Sequence, residues 1–144
     1  MANETLVPIT SAVDIVTARQ KGRSLATELG FEGAEVTLIA AAISEVARNI
    51  VEYAKNGEIV LQPQNHGLRH GLCVVARDQG PGIPDVSQAM QYGYSTRRGL
   101  GVGLPGAKLL MDEFDIVSKV GVGTTITMKK WLGAQRSNSR PPPR

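Results

Sequence analysis

From Val36 to Ile50 the apolar residues recur every three or four positions: Val36, Ile39, Ala40, Ile43, Ala47 and Ile50. That period marks one packed face of an α-helix. It predicts a helix from about Ala34 to Lys55, ended by Asn56-Gly57. An earlier helix is predicted from Ser11, where Asp14 three residues on completes a capping box, to about Leu29, closed by Gly30. Val13, Val16, Leu25, Ala26 and Leu29 are its expected buried side. Gly22 and the intervening charges weaken it and leave an outer face for a partner.

The period then changes. Residues 4–9 fit a short edge strand. Glu58–Gln62 and Leu72–Asp78 read as a hairpin, with Gln64-Asn-His-Gly as its turn. Residues 79–103 hold eight of the chain's glycines and prolines and read as loop, with one helical turn near Val86–Met90. Leu104–Glu113 is a third helix, with Pro105 tolerated in its first turn. Phe114–Val120 and Thr124–Trp131 are two last strands joined by Gly-Val-Gly. Helices and strands that segregate in this way predict an α+β fold. Its expected form is two layers, with the helices on one face of a mixed, mostly antiparallel sheet.

At 144 residues, the expected organisation is one domain over 1–132 and a disordered basic, Pro-rich tail over 133–144. The net charge of +3 comes from that tail, which carries Arg136, Arg140 and Arg144. The remaining basic residues equal the thirteen acidic ones. No basic stripe is left to follow a nucleic acid. The most apolar helical stretch, Val36–Ile43, is too short to span a bilayer. No basic start followed by an apolar run opens the chain. A soluble cytoplasmic protein is expected, with neither nucleic-acid nor membrane partner.

Four polar or glycine-rich motifs carry the candidate chemistry. Glu45 and Asn49 lie four apart on one helix face, with Glu52 or Tyr53 a turn later. The Asn carbonyl is a hard oxygen suited to Mg²⁺, which takes few protein ligands and keeps waters and phosphates. Glu45 is placed to accept a proton from an attacking hydroxyl or water. Asp78 ends an apolar strand and precedes Gly80-Pro81-Gly82. An acceptor-only carboxylate in an apolar pocket selects a ligand with an amine, such as adenine, over guanine. Gly99, Gly101 and Gly103 lead into a helix, where bare amides and the helix dipole suit phosphate. Arg97 or Arg98 is placed to meet a γ-phosphate. Gly121-Val-Gly123 precedes Thr124 and Thr125, either of which can hydrogen-bond near the base. Singly, each motif fits an ordinary turn or helix face. In this order they describe a site for a metal-chelated nucleotide. The glycine motif is neither a Walker A loop nor a dinucleotide fingerprint.

These motifs resemble the N box and the three glycine boxes of the GHKL ATPases and kinases, over about residues 5–131. Within that superfamily the chain is similar to the small serine kinases of bacterial partner-switching systems. DQGPGIPD at 78–85 and GLGVGLPGAKLLMDEF at 99–114 look most like the switch kinases of the stressosome. DIVTARQKGRSLATELGF at 14–31 and ISEVARNI at 43–50 fit them too. Anti-sigma factors are more distant relatives.

The resemblance implies a Bergerat α/β sandwich that binds ATP and Mg²⁺. It makes Glu45 the catalytic base and Asn49 the magnesium ligand. Asp78 would bind adenine beside Gly80 and Gly82. Arg97, Gly99, Gly101, Gly103 and Leu104 would surround the phosphates, and Thr125 would support the base pocket. The implied substrate is a serine or threonine of a STAS-domain antagonist, and the implied second partner a PP2C-type phosphatase. The alternative implied by the anti-sigma relatives is a nucleotide-gated module that holds a sigma factor. His66 and His70, in the polar hairpin turn, do not suit a phosphorylated histidine.

Overall fold

A computed structural model describes residues 4–91 and 103–133. Arg97, Gly99, Gly101 and the 134–144 part of the tail lie outside the described residues. Five strands form one sheet in the order β1-β2-β3-β5-β4: β1 Thr5–Ile9, β2 Gly57–His66, β3 Arg69–Asp78, β4 Glu113–Lys119 and β5 Gly123–Trp131. Every pairing among the described strands is antiparallel, in keeping with the expected mostly antiparallel sheet of an α+β fold. β1 is an edge strand, as its position in the sequence suggests.

One face of the sheet is buried. Val7 and Ile9, Ile59 and Leu61, Leu72, Val74 and Ala76, and Ile126 and Met128 alternate along their strands and join one core with residues of the helices. α2, Gly33–Asn49, lies between α1, Ala12–Leu29, and α4, Gly103–Leu110. All six apolar positions read from its period are buried. A single turn, α3 Val86–Ala89, starts at Asp85, whose carboxylate accepts Gln88 N–H at 3.0 Å.

α1 buries Leu25 and Ala26 as expected, but its first half presents a different face from Val13 and Val16. Its buried residues are Ile15, Ala18, Gly22, Leu25 and Ala26, with Leu29 half-buried, while Val13 is 72% and Val16 40% exposed. Both stripes have helical spacing. The small one wins because it admits α2. A Cβ at Gly22 would stand 2.2 Å from Ile43 Cδ1. Gly22 is therefore a packing contact rather than a weak point. The start of α1 is as expected in its acidic half: Asp14 accepts from Thr10 N–H at 2.8 Å, Thr10 Oγ1 at 3.0 Å and Ser11 N–H at 3.2 Å.

Three boundaries move. The β2–β3 hairpin runs on through Gln64-Asn-His and turns at Gly67-Leu68, with Gly67 at φ +64°. Pro63 is tolerated there because β1 pairs with β2 only as far as Leu61. Asn65 and His70 are cross-strand partners, 2.7 Å apart from Oδ1 to Nδ1. The α ladder of α2 stops at Asn49, and Ile50–Ala54 forms a π turn. Lys55, at φ +77°, closes that turn by donating its N–H to Ile50 O at 2.7 Å. α4 ends at Leu110, where Lys130 Nζ donates to the Leu110 carbonyl at 2.9 Å. Glu113 then opens β4.

Candidate functional site

The site lies where the end of α2, its π turn, the start of α4 and the ends of β3 and β5 meet. Glu45, Arg48, Asn49, Glu52 and Tyr53 line one pocket together with Gly103 and Leu104. The helical spacing of 45, 49, 52 and 53 puts these side chains on one wall. π turns commonly interrupt helices at functional sites, and here the break falls directly after Asn49. α4 supplies the facing wall, with Gly103 at φ +67° and Leu104 buried.

Glu45 is engaged at both oxygens. Oε1 accepts Gly103 N–H at 3.0 Å, and Oε2 lies 3.0 Å from Arg48 Nη1. Gly103 N–H is the first of the amides that a helix start leaves without an internal partner. The carboxylate therefore caps α4, and it is a group of the charge that this helix end favours.

Beside this pocket lies a second cluster. Asp78 is on the helix-facing side of β3, in step with Leu72, Val74 and Ala76. Its Oδ1 accepts Gly80 N–H at 2.9 Å. Among the described residues, Oδ2 has no partner. Gly80 fits against the π turn, since a Cβ there would stand 2.5 Å from Ala54 Cβ. Gly82, at φ +80°, would put a Cβ 2.4 Å from Lys119 O. Gly121 N–H donates to Pro81 O at 2.8 Å. The Gly80-Pro81-Gly82 loop is thus wedged between the end of α2 and the β4–β5 hairpin.

Ser118 ties these pieces together. Its Oγ accepts Ile83 N–H at 2.7 Å, and lies 2.7 Å from Thr124 Oγ1 and 3.3 Å from Gly123 O. A hydroxyl has one proton and two lone pairs. With the Ile83 amide accepted, one proton and one lone pair remain on Ser118, so either hydroxyl of the Ser118–Thr124 pair can be the donor. Thr124 is buried and pairs with Asp78 across the β3–β5 ladder.

The structure brings together Glu45, Asn49, Gly103 and Leu104 in the pocket, and Asp78, Gly80 and Gly82 beside it. Thr125 is not brought to the site. It shares the parity of Thr127 and Lys129, pairs with Arg77, and stands on the face of the sheet away from the helices. Thr124 has the parity of the core residues Ile126 and Met128 and occupies the place expected of Thr125. That parity is legible along β5. Ser118 and Arg48 were not anticipated. Ser118 carries no motif, and its role depends on the Ser118–Thr124 register. Arg48 has a sequence signal, three residues after Glu45.

Together the two clusters offer a bare amide at a helix start, a neutral amide oxygen, an acceptor-only carboxylate and a hydroxyl. This chain belongs to the family of histidine kinase-like ATPase domains, whose sequence profile it matches over residues 9–130. It is 49% identical over 132 residues to the serine/threonine-protein kinase RsbT of Bacillus subtilis (strain 168), covering 92% of this chain and 99% of that protein. It is 31% identical over 106 residues to an anti-sigma F factor of Caldanaerobacter subterraneus subsp. tengcongensis, covering 71% of this chain and 74% of the relative. Another anti-sigma F factor, from Halalkalibacterium halodurans, is 33% identical over 107 residues, 68% of this chain and 70% of the relative.

Proposed function

We propose that this chain is an ATP-dependent protein serine/threonine kinase of a bacterial partner-switching stress pathway, acting in the cytoplasm. Its substrates are STAS-domain antagonist or scaffold proteins, and once released from them it activates a PP2C-type phosphatase. The observation that carries the reading is the shared pocket of Glu45, Asn49 and the α4 N-terminus. The extent of likeness to a serine/threonine-protein kinase, nearly the full length of both chains, supports it. No described helix is long and apolar enough to cross a membrane.

The residues present fit Mg²⁺–ATP. The Asn49 side-chain carbonyl would hold the metal without adding charge, leaving phosphate oxygens and waters to complete its shell. Asp78 Oδ2 would accept the adenine amine, with Thr124 beside it. The Gly80 and Gly82 backbones leave no room for side chains between the base cluster and its walls. Gly103 N–H and the start of α4 would face phosphate oxygens, next to Leu104. Arg97, Gly99 and Gly101 would complete that side. When bound, Mg²⁺–ATP supplies the transferable phosphoryl group. Glu45 takes the proton of the substrate hydroxyl, and fixed dipoles hold the developing charge.

Binding of a fluorescent ATP analogue to Asn49→Ala, Asp78→Asn and Glu45→Ala tests the assignment. Asn49→Ala is expected to lose magnesium-dependent affinity and all transfer. Asp78→Asn is expected to lose the preference for adenine. Glu45→Ala is expected to keep binding and transfer slowly. An Asn49→Ala protein with full activity would remove the basis of the proposal. A second reading, a nucleotide-gated module that holds a sigma factor, is favoured by the anti-sigma F relatives. Stable co-purification with a sigma factor supports it, and absence of binding at micromolar concentrations rejects it.

A further inference from the structure

We propose that Arg48 is a positioning residue, which holds the Glu45 carboxylate at the pocket while that carboxylate exchanges the Gly103 amide for the hydroxyl of the protein substrate. This rests on the kinase reading above. A general base needs an oxygen available to its substrate. In this structure Oε1 is taken by Gly103 N–H and Oε2 by Arg48, each at 3.0 Å.

The two contacts are not equivalent. Arg48 is three residues from Glu45 on the same helix, so that pair moves as part of α2. Its partner side chains are mostly buried, 13% exposed for Glu45 and 28% for Arg48, so water screens the pair less than it would at an open surface. Gly103 is 58 residues away, at the first position of α4. Its amide is the kind of donor that any anion at a helix start competes for. Glu45 is such an anion, held there by the chain itself. A ligand phosphate oxygen asks for the same N–H.

The consequence is an ordered exchange. While Glu45 caps α4, one lone pair of Oε1 is held by Gly103 N–H, and that oxygen is drawn to the helix start rather than to a substrate. Once Gly103 N–H is given to a ligand oxygen, Oε1 is released, and Arg48 still holds Oε2. The carboxylate therefore stays aimed into the pocket instead of swinging to solvent. The substrate hydroxyl then gives its proton to Oε1 as its oxygen bonds to the γ-phosphorus and ADP departs. A base left without Arg48 would keep its chemistry and lose its aim. Misplacement by about 1 Å can cost on the order of 10²-fold in rate.

The test uses the wild-type protein, Arg48→Ala, Arg48→Lys and Glu45→Ala, with Mg²⁺ and the β,γ-imido analogue of ATP. Amide exchange at Gly103 is followed by NMR, and analogue affinity is measured on the same samples. Without nucleotide, Gly103 should exchange roughly tenfold faster in Glu45→Ala than in wild type, the loss of one hydrogen bond. With the analogue bound, that difference should vanish. Arg48→Ala should bind the analogue within about twofold of wild type. Its transfer to a STAS-domain substrate should fall on the order of 10²-fold in kcat with the KM for ATP unchanged, and Arg48→Lys should recover part of the loss. A purely structural Arg48 would not separate kcat from KM in this way. The proposal is overturned if Arg48→Ala transfers at the wild-type rate or loses analogue affinity. It is also overturned if the Gly103 difference persists with analogue bound. Failure of wild type to bind the analogue at all would instead overturn the nucleotide reading.

Discussion

Replacing Gly123 with alanine probes the closest backbone approach in the cluster around Asp78 and Thr124. Gly123 has φ +145°, and a Cβ there would stand 2.1 Å from Asp78 O, 2.9 Å from Gln79 Cα and 3.0 Å from Asp78 C. All three are backbone atoms, so no side chain can rotate out of the way. Two costs add. A residue with a Cβ in a sparsely populated backbone region costs about 1–3 kcal/mol. Forcing extra volume into a packed site costs a further ~1–3 kcal/mol. Gly121 is the internal control. Its φ is +82°, yet nothing lies within 4 Å of its Cβ position. Gly121→Ala therefore incurs only the first cost.

For a domain of this size 1 kcal/mol moves Tm by roughly 4 °C. Gly123→Ala should accordingly lower Tm by roughly 10–20 °C, and Gly121→Ala by about 5 °C. Urea titration followed by circular dichroism gives the free energies directly. Gly123→Ala must also push Thr124 away from Asp78, so its adenine nucleotide affinity should fall while that of Gly121→Ala holds. If the two variants are equally stable to within about 0.5 kcal/mol, the close approach is not a determinant of the fold.

The two neighbouring threonines give a direct comparison. Thr124→Val should weaken adenine nucleotide binding about tenfold, the loss of a buried hydroxyl, and Thr125→Val should leave it within about twofold. Equal effects in a binding titration would reverse the face assignment. Asp14 gives a pH dependence. Hydrogen bonds from the Thr10 backbone, then the Thr10 hydroxyl, hold its carboxyl below the ordinary value of 3.8. A depressed folded value means that the stabilisation is present above 3.8 and fades as pH falls through the lower folded value. Asp14→Asn should therefore be less stable than wild type at pH 7, with the gap closing in acid. A gap that is independent of pH in urea unfolding would contradict this.

Much of the fold was legible because burial imposes a period. α2 was readable residue by residue, since all of Val36, Ile39, Ala40, Ile43, Ala47 and Ile50 are buried on one side. The first half of α1 was not, because Val13 and Val16 make an apolar stripe that competes with Ile15, Ala18 and Gly22. Only the fit of Gly22 against Ile43 selects the second. The hairpin turn was misplaced because Gln64-Asn-His has turn composition while its residues pair across the strands, Asn65 with His70 by side chain. Local chemistry cannot report that pairing.

The site divides in the same manner. Glu45 and Asn49 are four apart on a helix, so spacing alone puts them on one wall. Asp78 and Thr124 come together only through the β3–β5 register, and Ser118 only through the β4–β5 register. Nothing in the sequence shows that both Glu45 oxygens are occupied, because Gly103 arrives from 58 residues away.

The central claim is transfer of a phosphoryl group to a protein. The most direct measurement is the intact mass of a STAS-domain antagonist after incubation with this chain and Mg²⁺–ATP, with Glu45→Gln as control. The account predicts a gain of one phosphoryl group on a serine or threonine, formed far more slowly with the control. An unchanged mass despite measured ATP binding would contradict the kinase, and leave the nucleotide-gated module as the function of the same pocket.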